Sequence, residues 1–230
     1  MVVRNVDALA RIHYSWEPPF DVAAGKTALL VVDLQRSTAE PGVGTGKLAR
    51  ERGQGGELTG YYADVALAVK NAQRVIAAAR RAGIDIIHIR LARRLRDGRD
   101  VRRGVPTDAM PPYVASEDAR FLDAVAPLDG EIVIDKTTPS AFTSTGLDFL
   151  LRTLGVKNLL VFGVPTNVDV LMTVRDADDL SYRVVTIGDC CAAATRELHD
   201  TVLLSMNMRR MRVKDSNEVI AMLEASRRRG

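Results

Sequence analysis

The segment TALLVVD at residues 27–33 decides the fold class of this chain. It is a nearly continuous run of apolar residues that ends in an acid, and such runs are typical of parallel strands covered on both faces. Five later segments have the same Val-, Ile- and Leu-rich character: residues 84–91, 131–135, 158–164, 182–189 and 210–215. The sequence therefore predicts six strands.

Longer amphipathic segments lie between the predicted strands. Their apolar spacing and the glycines that follow some of them predict helices. These helices are expected at residues 62–82, 145–154, 167–180, 192–206 and 217–226. The alternation implies right-handed crossovers and an α/β fold, a three-layer α/β/α sandwich with a six-stranded, mostly parallel, Rossmann-like sheet. Residues 37–61 and 92–116 lack both patterns, so we expect long loops that form lids or oligomer contacts.

The composition is ordinary for one globular domain. The chain has 230 residues, of which 47% are hydrophobic and 27% charged. We expect a single domain over residues 1–230, with an N-terminal extension at 1–25. No apolar stretch approaches the ~20 residues of a membrane-spanning helix, and no secretion signal is apparent at the N-terminus. The two adjacent cysteines, Cys190 and Cys191, fit a reducing compartment, so we expect a soluble, cytoplasmic protein without a membrane partner.

The net charge of +3 is unevenly distributed. Residues 93–103 contain six arginines and two aspartates, and three arginines precede the C-terminal Gly230. A nucleic-acid binder usually has a wider basic face and a recognisable module, so we expect no nucleic-acid partner. Two interpretations stay open: a solvated basic loop, or recognition of an anionic substrate through arginine forks.

Several polar side chains follow the predicted strands at their carboxyl ends. They are Asp33, Arg90, Lys136, the turn at residues 163–169, and residues 189–191. Ligands of open parallel sheets bind beyond this edge. An aspartate that ends a strand is unremarkable because turns and caps use it often. An acid and an amine at the same edge are more informative, and they predict a site there.

Three blocks of sequence together resemble the isochorismatase-like family. They are VVDLQ at residues 31–35, DKTTPSAFTSTGLDFLL at 135–151 and GVPTNVDVLMTVRDADDLSYRVVTIGDCCAA at 163–193. The family includes nicotinamidases, N-carbamoylsarcosine, ureidoacrylate and biuret amidohydrolases, and isochorismatases. The resemblance, over about residues 26–213, implies a hydrolase that acts on a small molecule. It also implies catalytic roles for Asp33 and Lys136, and a homo-oligomer, a dimer or a tetramer.

The residues after the fourth predicted strand depart from the family pattern. Residues 163–170 resemble G-V-x-T-x-x-C-V, with Asp169 at the position of the nucleophilic cysteine. Cys190 and Cys191 follow the next strand, and we expect both to pack in the core. The family is expected to have a cis peptide before the threonine, here Thr166, with backbone N–H groups directed at an oxyanion. Pro165 favours that cis bond but removes an N–H donor.

Without a thiol at position 169, three interpretations of the site stay open. Asp169 attacks as a carboxylate, or orients a water, to hydrolyse an amide or ureido C–N bond. Alternatively, Asp33 and Asp169 form an acid/base set around Lys136 that hydrolyses a vinyl ether, as isochorismatases do without the cysteine. The third possibility is an inactive small-molecule binder. By itself, an acid at a helix N-terminus needs no function, because the helix dipole favours it.

Further residues are candidates for substrate contacts. We expect Arg90 or Arg94 to bind a substrate carboxylate, and Val164, Pro165 and Thr166 to line the site. Phe142 and either Trp16 or Tyr61 are candidates for an apolar wall. The three histidines, His13, His88 and His199, are widely separated, so we expect no catalytic metal and no cofactor. His88, inside a predicted strand, is expected to be a core residue.

Overall fold

The computed structural model describes residues 20–207 and 211–228. Most of the expected N-terminal extension, with His13 and Trp16, lies outside the described residues, as does the predicted start of the sixth strand at position 210. In the described part of the chain, no helix is both long and apolar enough to cross a membrane.

Six parallel strands form one sheet. They are β1 Thr27–Val32, β2 Asp85–Leu91, β3 Ile132–Lys136, β4 Asn158–Gly163, β5 Arg183–Ile187 and β6 Arg212–Lys214. Their order is β3-β2-β1-β4-β5-β6, and every neighbouring pair is parallel. The predicted α/β fold is confirmed, and the sheet is wholly rather than mostly parallel. The order reverses between β1 and β4, so the crevice for a ligand lies beyond the ends of these two central strands.

Seven α-helices belong to the described residues. They are α1 Arg36–Ala39, α2 Gly44–Glu51, α3 Thr59–Arg81, α4 Leu147–Thr153, α5 Leu171–Asp179, α6 Arg196–Met206 and α7 Ser216–Arg227. All predicted helices are present with shifted ends, and helices cover both faces of the sheet. The α6 helix starts at Arg196 rather than at 192, because the Thr195 side chain accepts the N–H of Leu198 and caps it there.

Residues 37–61 are more regular than the sequence predicts. They contain α2, although glycines suggested a loop. The glycines serve close packing instead: a Cβ added to Gly44 would lie 2.3 Å from the Ser37 carbonyl oxygen, and one added to Gly46 would lie 2.3 Å from that of Pro41. The prediction of a long loop was wrong here, since a glycine chosen for close approach looks the same in sequence as one chosen for flexibility.

The two central strands approach closely at the edge where the site lies. Every residue of β1 and β4 is buried. Gly163 ends β4 with φ +147°, and a Cβ at this position would lie 1.9 Å from the Val32 carbonyl oxygen. Glycine is therefore required for β4 to pass the end of β1, and this approach brings the turn after β4 next to Asp33.

Candidate active site

Asp33 stands immediately after β1 in a constrained conformation. Its φ is +53°, in the left-handed region that aspartate tolerates better than most residues. Its N–H donates to the Ile89 carbonyl at 2.8 Å, and its own carbonyl accepts from Thr38 Oγ1 at 2.5 Å. The side chain is 0% exposed. The backbone therefore fixes a fully buried carboxyl group at the end of the central strand.

Lys136 connects this carboxyl group with a second one. It is the last residue of β3 and is 0% exposed. Its Nζ lies 2.7 Å from Asp33 Oδ2 and 2.6 Å from Asp169 Oδ1, and it also donates to the Thr138 carbonyl at 3.2 Å. Asp169 lies in a single π-helical turn, Thr166–Val170, and is 6% exposed. The structure thus brings together one amine and two acids from three separate strand ends.

The two contacts of the amine differ in geometry. Lys136 Nζ donates a well-aligned hydrogen bond to Asp169 Oδ1. Its contact with Asp33 is an ion pair at hydrogen-bond distance, but it lies off the direction of a hydrogen bond, and neither Asp33 carboxyl oxygen has an aligned partner among the described residues. Buried polar oxygens without a partner are uncommon in folded proteins. Asp33 is therefore the group in this cluster with free hydrogen-bonding capacity.

Burial and charge set the protonation of the cluster. Burial raises the pKa of Asp33 well above its ordinary value; the charge of Lys136 opposes this shift and that of Asp169 adds to it. Burial alone would lower the pKa of Lys136, but the two carboxylates outweigh burial and raise it. Two buried carboxylates share one ammonium, so their charge is only partly compensated, and the pKa of the fully buried Asp33 rises.

Gln35 stabilises the strand ends beneath the cluster. It is the last residue of the VVDLQ block and is fully buried. Its Oε1 accepts the N–H of Leu91 at 2.7 Å, while its Nε2 donates to the Leu91 carbonyl at 3.0 Å. Leu91 is in register with Lys136 on β3. The side-chain amide thus extends the β1–β2 pairing beyond Asp33 and steadies the strand next to Lys136.

The turn that carries Asp169 has no spare N–H at its start. The Val164–Pro165 peptide is cis, and Pro165 has no N–H. The N–H of Thr166 donates to the Ala192 carbonyl at 2.8 Å. Neither position therefore offers a donor to an oxyanion. Val164 and Thr166 are both 0% exposed, so of these three predicted substrate contacts only Pro165 reaches the surface.

Thr166 also has a partner that sequence reasoning did not identify. Its Oγ1 lies 2.8 Å from Nδ1 of His199, which projects from α6 and is 4% exposed. In the sequence, His199 is an isolated histidine far from the turn, so no local spacing indicates the contact. Only the packing of α6 against the turn brings the two side chains together.

Arg90 does not reach the cluster. It is in register with Asp135, as Leu91 is with Lys136, and neighbouring residues of a strand point to opposite faces. Its Nε donates to Asp135 Oδ1 at 2.5 Å, on the face opposite Lys136. The register therefore places Arg90 on the other face from Lys136, and its contact with a substrate stays a prediction that this placement does not support.

Phe142 lies at the opposite edge of the sheet from the one predicted. Its ring packs 5.9 Å from that of Tyr182, and Tyr182 immediately precedes β5, at the N-terminal edge of the sheet. Phe142 packs against the core there, so its contact with a substrate stays a prediction. Tyr61 is the aromatic residue close to the site. It is 6% exposed, donates to the Thr38 carbonyl at 3.0 Å, and lies near enough for the charges of Asp169 and Asp33 to raise its pKa further beyond the effect of burial.

The arginine-rich segment also contains a partly buried cation, Arg93, which the sequence did not single out. Arg94 is exposed and donates to the Asp135 carbonyl at 2.6 Å, one peptide before Lys136, so its substrate role stays a prediction. Arg93 lines a cavity of about 600 Å³ that also borders Leu91 and Thr38. Its Nε is buried and has no hydrogen-bond partner among the described residues. We call this space the Arg93 cavity.

The remaining candidates behave as core residues. Cys190 and Cys191 are free and buried; burial raises the pKa of both thiols, to about 12 for Cys191, so neither forms a thiolate near neutral pH. His88 is 0% exposed and lies 3.0 Å from Glu131, as expected of a core histidine. No three His, Cys, Asp or Glu side chains within the described ranges are grouped to hold a metal ion.

Comparisons with known proteins agree with this architecture. Residues 27–218 match the model of the Isochorismatase domain. Ureidoacrylate amidohydrolase RutB of Acinetobacter baylyi is 30% identical over 199 residues, which cover 77% of this chain and 76% of that protein. A protein of Arabidopsis thaliana described as a probable inactive nicotinamidase is 35% identical over 187 residues, with 78% and 87% covered.

A solved structure is similar over most of the chain. The crystal structure of a cysteine hydrolase from Pseudomonas syringae pv. phaseolicola superimposes with a TM-score of 0.79 at 27% sequence identity. The superposition covers 92% of this chain and 99% of that protein. The site described above therefore lies on a scaffold shared with this enzyme.

Proposed function

The chain belongs to the isochorismatase family and is a hydrolase, and from this premise we propose that it hydrolyses an amide or ureido C–N bond in a small anionic molecule. The observation that carries the proposal is the fully buried Lys136 held at 2.7 Å from Asp33 and 2.6 Å from Asp169. A relative of 30% identity is named a ureidoacrylate amidohydrolase, which supports a C–N bond as the target.

Asp169 is proposed to stand at the position of the family's cysteine and to act as a general base. It lies in the first turn after β4, and its Oδ1 accepts from Lys136 at 2.6 Å. A carboxylate cannot perform thiol chemistry, but it accepts a proton from water. The N–H of Thr166 is occupied and Pro165 has none, so neither residue stabilises the oxyanion that a thiol or a water nucleophile would form.

The proposed reaction uses one water and two proton transfers. Asp169 takes a proton from water while the water oxygen adds to the carbonyl carbon and the carbonyl electron pair moves to oxygen. When the carbonyl reforms, the C–N bond breaks, and its electron pair stays on nitrogen. The proton of Asp33 goes to this nitrogen, so the amine leaves neutral. Asp33 suits this role because burial raises its pKa and neither of its oxygens has an aligned hydrogen-bond partner among the described residues.

Lys136 is proposed to close the proton cycle. After the reaction Asp169 holds a proton and Asp33 has lost one. The ammonium lies within hydrogen-bond distance of both carboxyl groups, so it gives a proton to Asp33 and takes one from Asp169. Its raised pKa keeps it charged between turnovers, and this charge also stabilises the carboxylate next to it.

The anionic part of the substrate is assigned to the Arg93 cavity. This cavity borders Thr38, whose hydroxyl donates to the Asp33 carbonyl, and Leu91, which is in register with Lys136. The Arg93 Nε is buried and has no hydrogen-bond partner in the described part of the chain, while Nη1 of the same side chain donates to the Pro111 carbonyl. A buried guanidinium donor left unused is costly, and a ligand carboxylate satisfies it.

A substrate panel tests the proposal. Ureido carboxylates, amide carboxylates and enol-ether carboxylates are assayed for release of amine, ammonia or the enol product. We expect turnover of a ureido or amide member, and a loss of about 10²- to 10⁴-fold in kcat/KM in Asp169→Asn, which keeps the shape but not the base. Asp148→Asn, in an exposed ion pair with Arg152, is the control and should keep wild-type kcat/KM.

Two results of the panel would contradict the proposal. Turnover of C–N substrates that survives Asp169→Asn would remove the base from the mechanism. Tight binding of panel members with no product under any condition would indicate a small-molecule binder without catalytic activity.

Arg93→Gln separates binding of the anion from the chemistry. We expect KM for a carboxylate substrate to rise about 10- to 100-fold, in line with the loss of one charge-assisted hydrogen bond, while kcat stays within a factor of a few. The corresponding neutral carboxamide should show almost no change. Arg99→Gln, whose side chain is 76% exposed, is the control. An equal KM increase for neutral and anionic substrates would argue against a carboxylate contact.

A second candidate function is hydrolysis of a vinyl ether. The raised pKa of Asp33 favours it, because a protonated carboxyl group that faces the site can add a proton to an alkene carbon. Asp169 would then direct water to the resulting cation. The enol-ether members of the panel decide between the two functions.

A further inference from the structure

Asp33 adopts a backbone conformation that most residues avoid. Its φ of +53° lies in the left-handed region, which a residue with a side chain keeps only when surrounding contacts hold it there. The N–H of Asp33 donates to the Ile89 carbonyl on β2, and this bond fixes the strand side of the residue. The other side needs a separate support, because the chain leaves the sheet after Asp33 and enters α1 three residues later.

The hydroxyl group of Thr38 supplies that support. Thr38 lies on α1, and its Oγ1 is 2.5 Å from the Asp33 carbonyl oxygen and 3.0 Å from that of Gln35. The hydroxyl has one hydrogen, so the closer carbonyl of Asp33 is its main acceptor. With its N–H and its carbonyl both held, Asp33 cannot change φ and ψ freely. The direction of its Cα–Cβ bond, and so the place of its carboxyl group, is set with them.

Thr38 is itself attached to α3 by Tyr61. The last carbonyl groups of a helix lack partners within it, and the Tyr61 hydroxyl donates to one such carbonyl of α1, that of Thr38, at 3.0 Å. Tyr61 is buried, and its ring meets that of Tyr62 edge to face at 5.0 Å. A helix of four residues is not stable by itself, so the contact with the 23-residue α3 gives α1 a fixed position.

The Tyr61 hydroxyl is neutral and acts only through this hydrogen bond. Burial first, and then the neighbouring Tyr62, Asp169 and Asp33, raise its pKa. The charged groups that face Asp33 are Lys136 and Asp169. Two hydrogen bonds thus run from α3 through α1 to the backbone of Asp33, and neither is part of the proposed proton transfers.

We propose that Thr38 and Tyr61 are positioning residues that hold the Asp33 carboxyl group in place beside Lys136. The inference rests on the proposed function, in which Asp33 gives its proton to the leaving nitrogen. A general acid must lie within hydrogen-bond reach of the atom that it protonates. A displacement of about 1 Å can cost on the order of 10²-fold in rate. The two hydroxyl groups therefore matter for kcat rather than for binding of the substrate.

Three threonine variants test the inner hydrogen bond. Thr38→Val keeps the shape of the side chain but loses the hydroxyl, and kcat for the preferred panel substrate should fall about 10- to 100-fold, with KM changed by no more than about threefold. Thr38→Ser restores the hydroxyl and should retain kcat within about threefold. Thr153→Val is the control, because it removes an equivalent bond to the Phe149 carbonyl on exposed α4, and it should keep wild-type kinetics.

Two tyrosine variants test the outer hydrogen bond. Tyr61→Phe keeps the ring and should lower kcat by about 3- to 10-fold, less than Thr38→Val, since the lost bond acts on Asp33 only through Thr38. Tyr62→Phe is the matched control on the same helix. The Tyr62 hydroxyl is buried and has no hydrogen-bond partner among the described residues, so its removal should leave kcat unchanged.

The ¹³C NMR signal of the Asp33 carboxyl group gives a readout that needs no turnover. Thr38→Val should bring the raised pKa of Asp33 nearer to its ordinary value, because a released backbone lets the carboxyl group meet water and align with Lys136, while Thr38→Ser should keep the raised pKa. An Asp33 pKa that is the same in the wild type and Thr38→Val would overturn the inference, as would an equal loss of kcat in Thr38→Ser and Thr38→Val. If no panel member is turned over, the proposed hydrolysis fails, and the comparison of pKa values still decides whether Thr38 positions Asp33.

Discussion

Asp33→Asn should lower kcat/KM for the preferred panel substrate by about 10²- to 10⁴-fold, the contribution expected of a general acid. Asparagine keeps the shape of the side chain but cannot give a proton to the leaving nitrogen. Neither Asp33 oxygen has an aligned hydrogen-bond partner among the described residues, so the substitution weakens the 2.7 Å contact with Lys136 Nζ but removes no aligned hydrogen bond. The measurement is steady-state kinetics, with folding checked by thermal unfolding.

The pH profile identifies the role of Asp33 more sharply than the rate. In the wild type, activity should fall as pH rises through the raised pKa of Asp33, since only the protonated form serves as the acid. That fall should disappear from the residual activity of Asp33→Asn. Asp135→Asn, which changes an acid on the opposite face of the sheet, is the control and should retain the wild-type profile. A profile unchanged in Asp33→Asn would show that another group supplies the proton.

The three groups of the cluster come from three different strand ends. The scaffold places an acid after β1 and an amine after β3, and the turn after β4 supplies the third group. In this chain, the third group is a carboxylate whose turn begins without a free N–H. We therefore expect the identity of residue 169 to select between a covalent route and a water route, while Asp33 and Lys136 serve both.

The location of the site could be predicted from strand ends alone. Asp33, Lys136 and Asp169 follow three runs of buried Val, Ile and Leu, and parallel strands bring such positions to one edge. The face of the sheet on which a side chain lies is harder to predict. The β2 strand is mostly apolar on both faces, so its sequence has no alternation of polar and apolar residues. The sequence therefore predicts Arg90 at the site, although the register pairs it with Asp135 on the other face of the sheet.

The sequence also does not predict side-chain contacts between elements that are distant along the chain. His199 meets Thr166 only because α6 packs against the turn after β4, and nothing in the spacing of the two residues records this. Arg93 differs from the arginines around it through its surroundings, since its Nε is buried without a partner beside a cavity. In the sequence, the six arginines of residues 93–103 look alike.

Lys136→Met should abolish turnover and also destabilise the fold by about 3–5 kcal/mol at neutral pH, because breaking a buried ion pair leaves charge without compensation. Methionine fits the space of the aliphatic stem but leaves Asp33 and Asp169 facing each other. Chemical unfolding measures the change. Lys214→Met, which breaks an ion pair with Glu218 near the surface, is the control and should cost no more than about 1 kcal/mol.

The loss of stability in Lys136→Met should grow as pH rises from about 4 to neutral. The pKa of Asp33 is raised in the folded state, so its contribution to stability is present below the unfolded value of about 4 and is lost as pH rises through the folded value. Removing Lys136 removes the charge that opposes this rise. The pKa of Asp33 therefore rises further in the variant, and stability is lost over a wider pH range. The free energy of unfolding of Lys136→Met should be close to that of the wild type near pH 4, and the difference should be largest at neutral pH.

A double variant distinguishes this electrostatic cause from poor packing. Adding Asp33→Asn to Lys136→Met removes one of the two facing acids, so the double variant should be more stable at neutral pH than Lys136→Met alone, and its stability should vary less with pH. If the second substitution instead destabilises the protein further, the amine is needed for its volume rather than its charge. The compensation of two buried carboxylates by one ammonium would then not be what holds the three strand ends together.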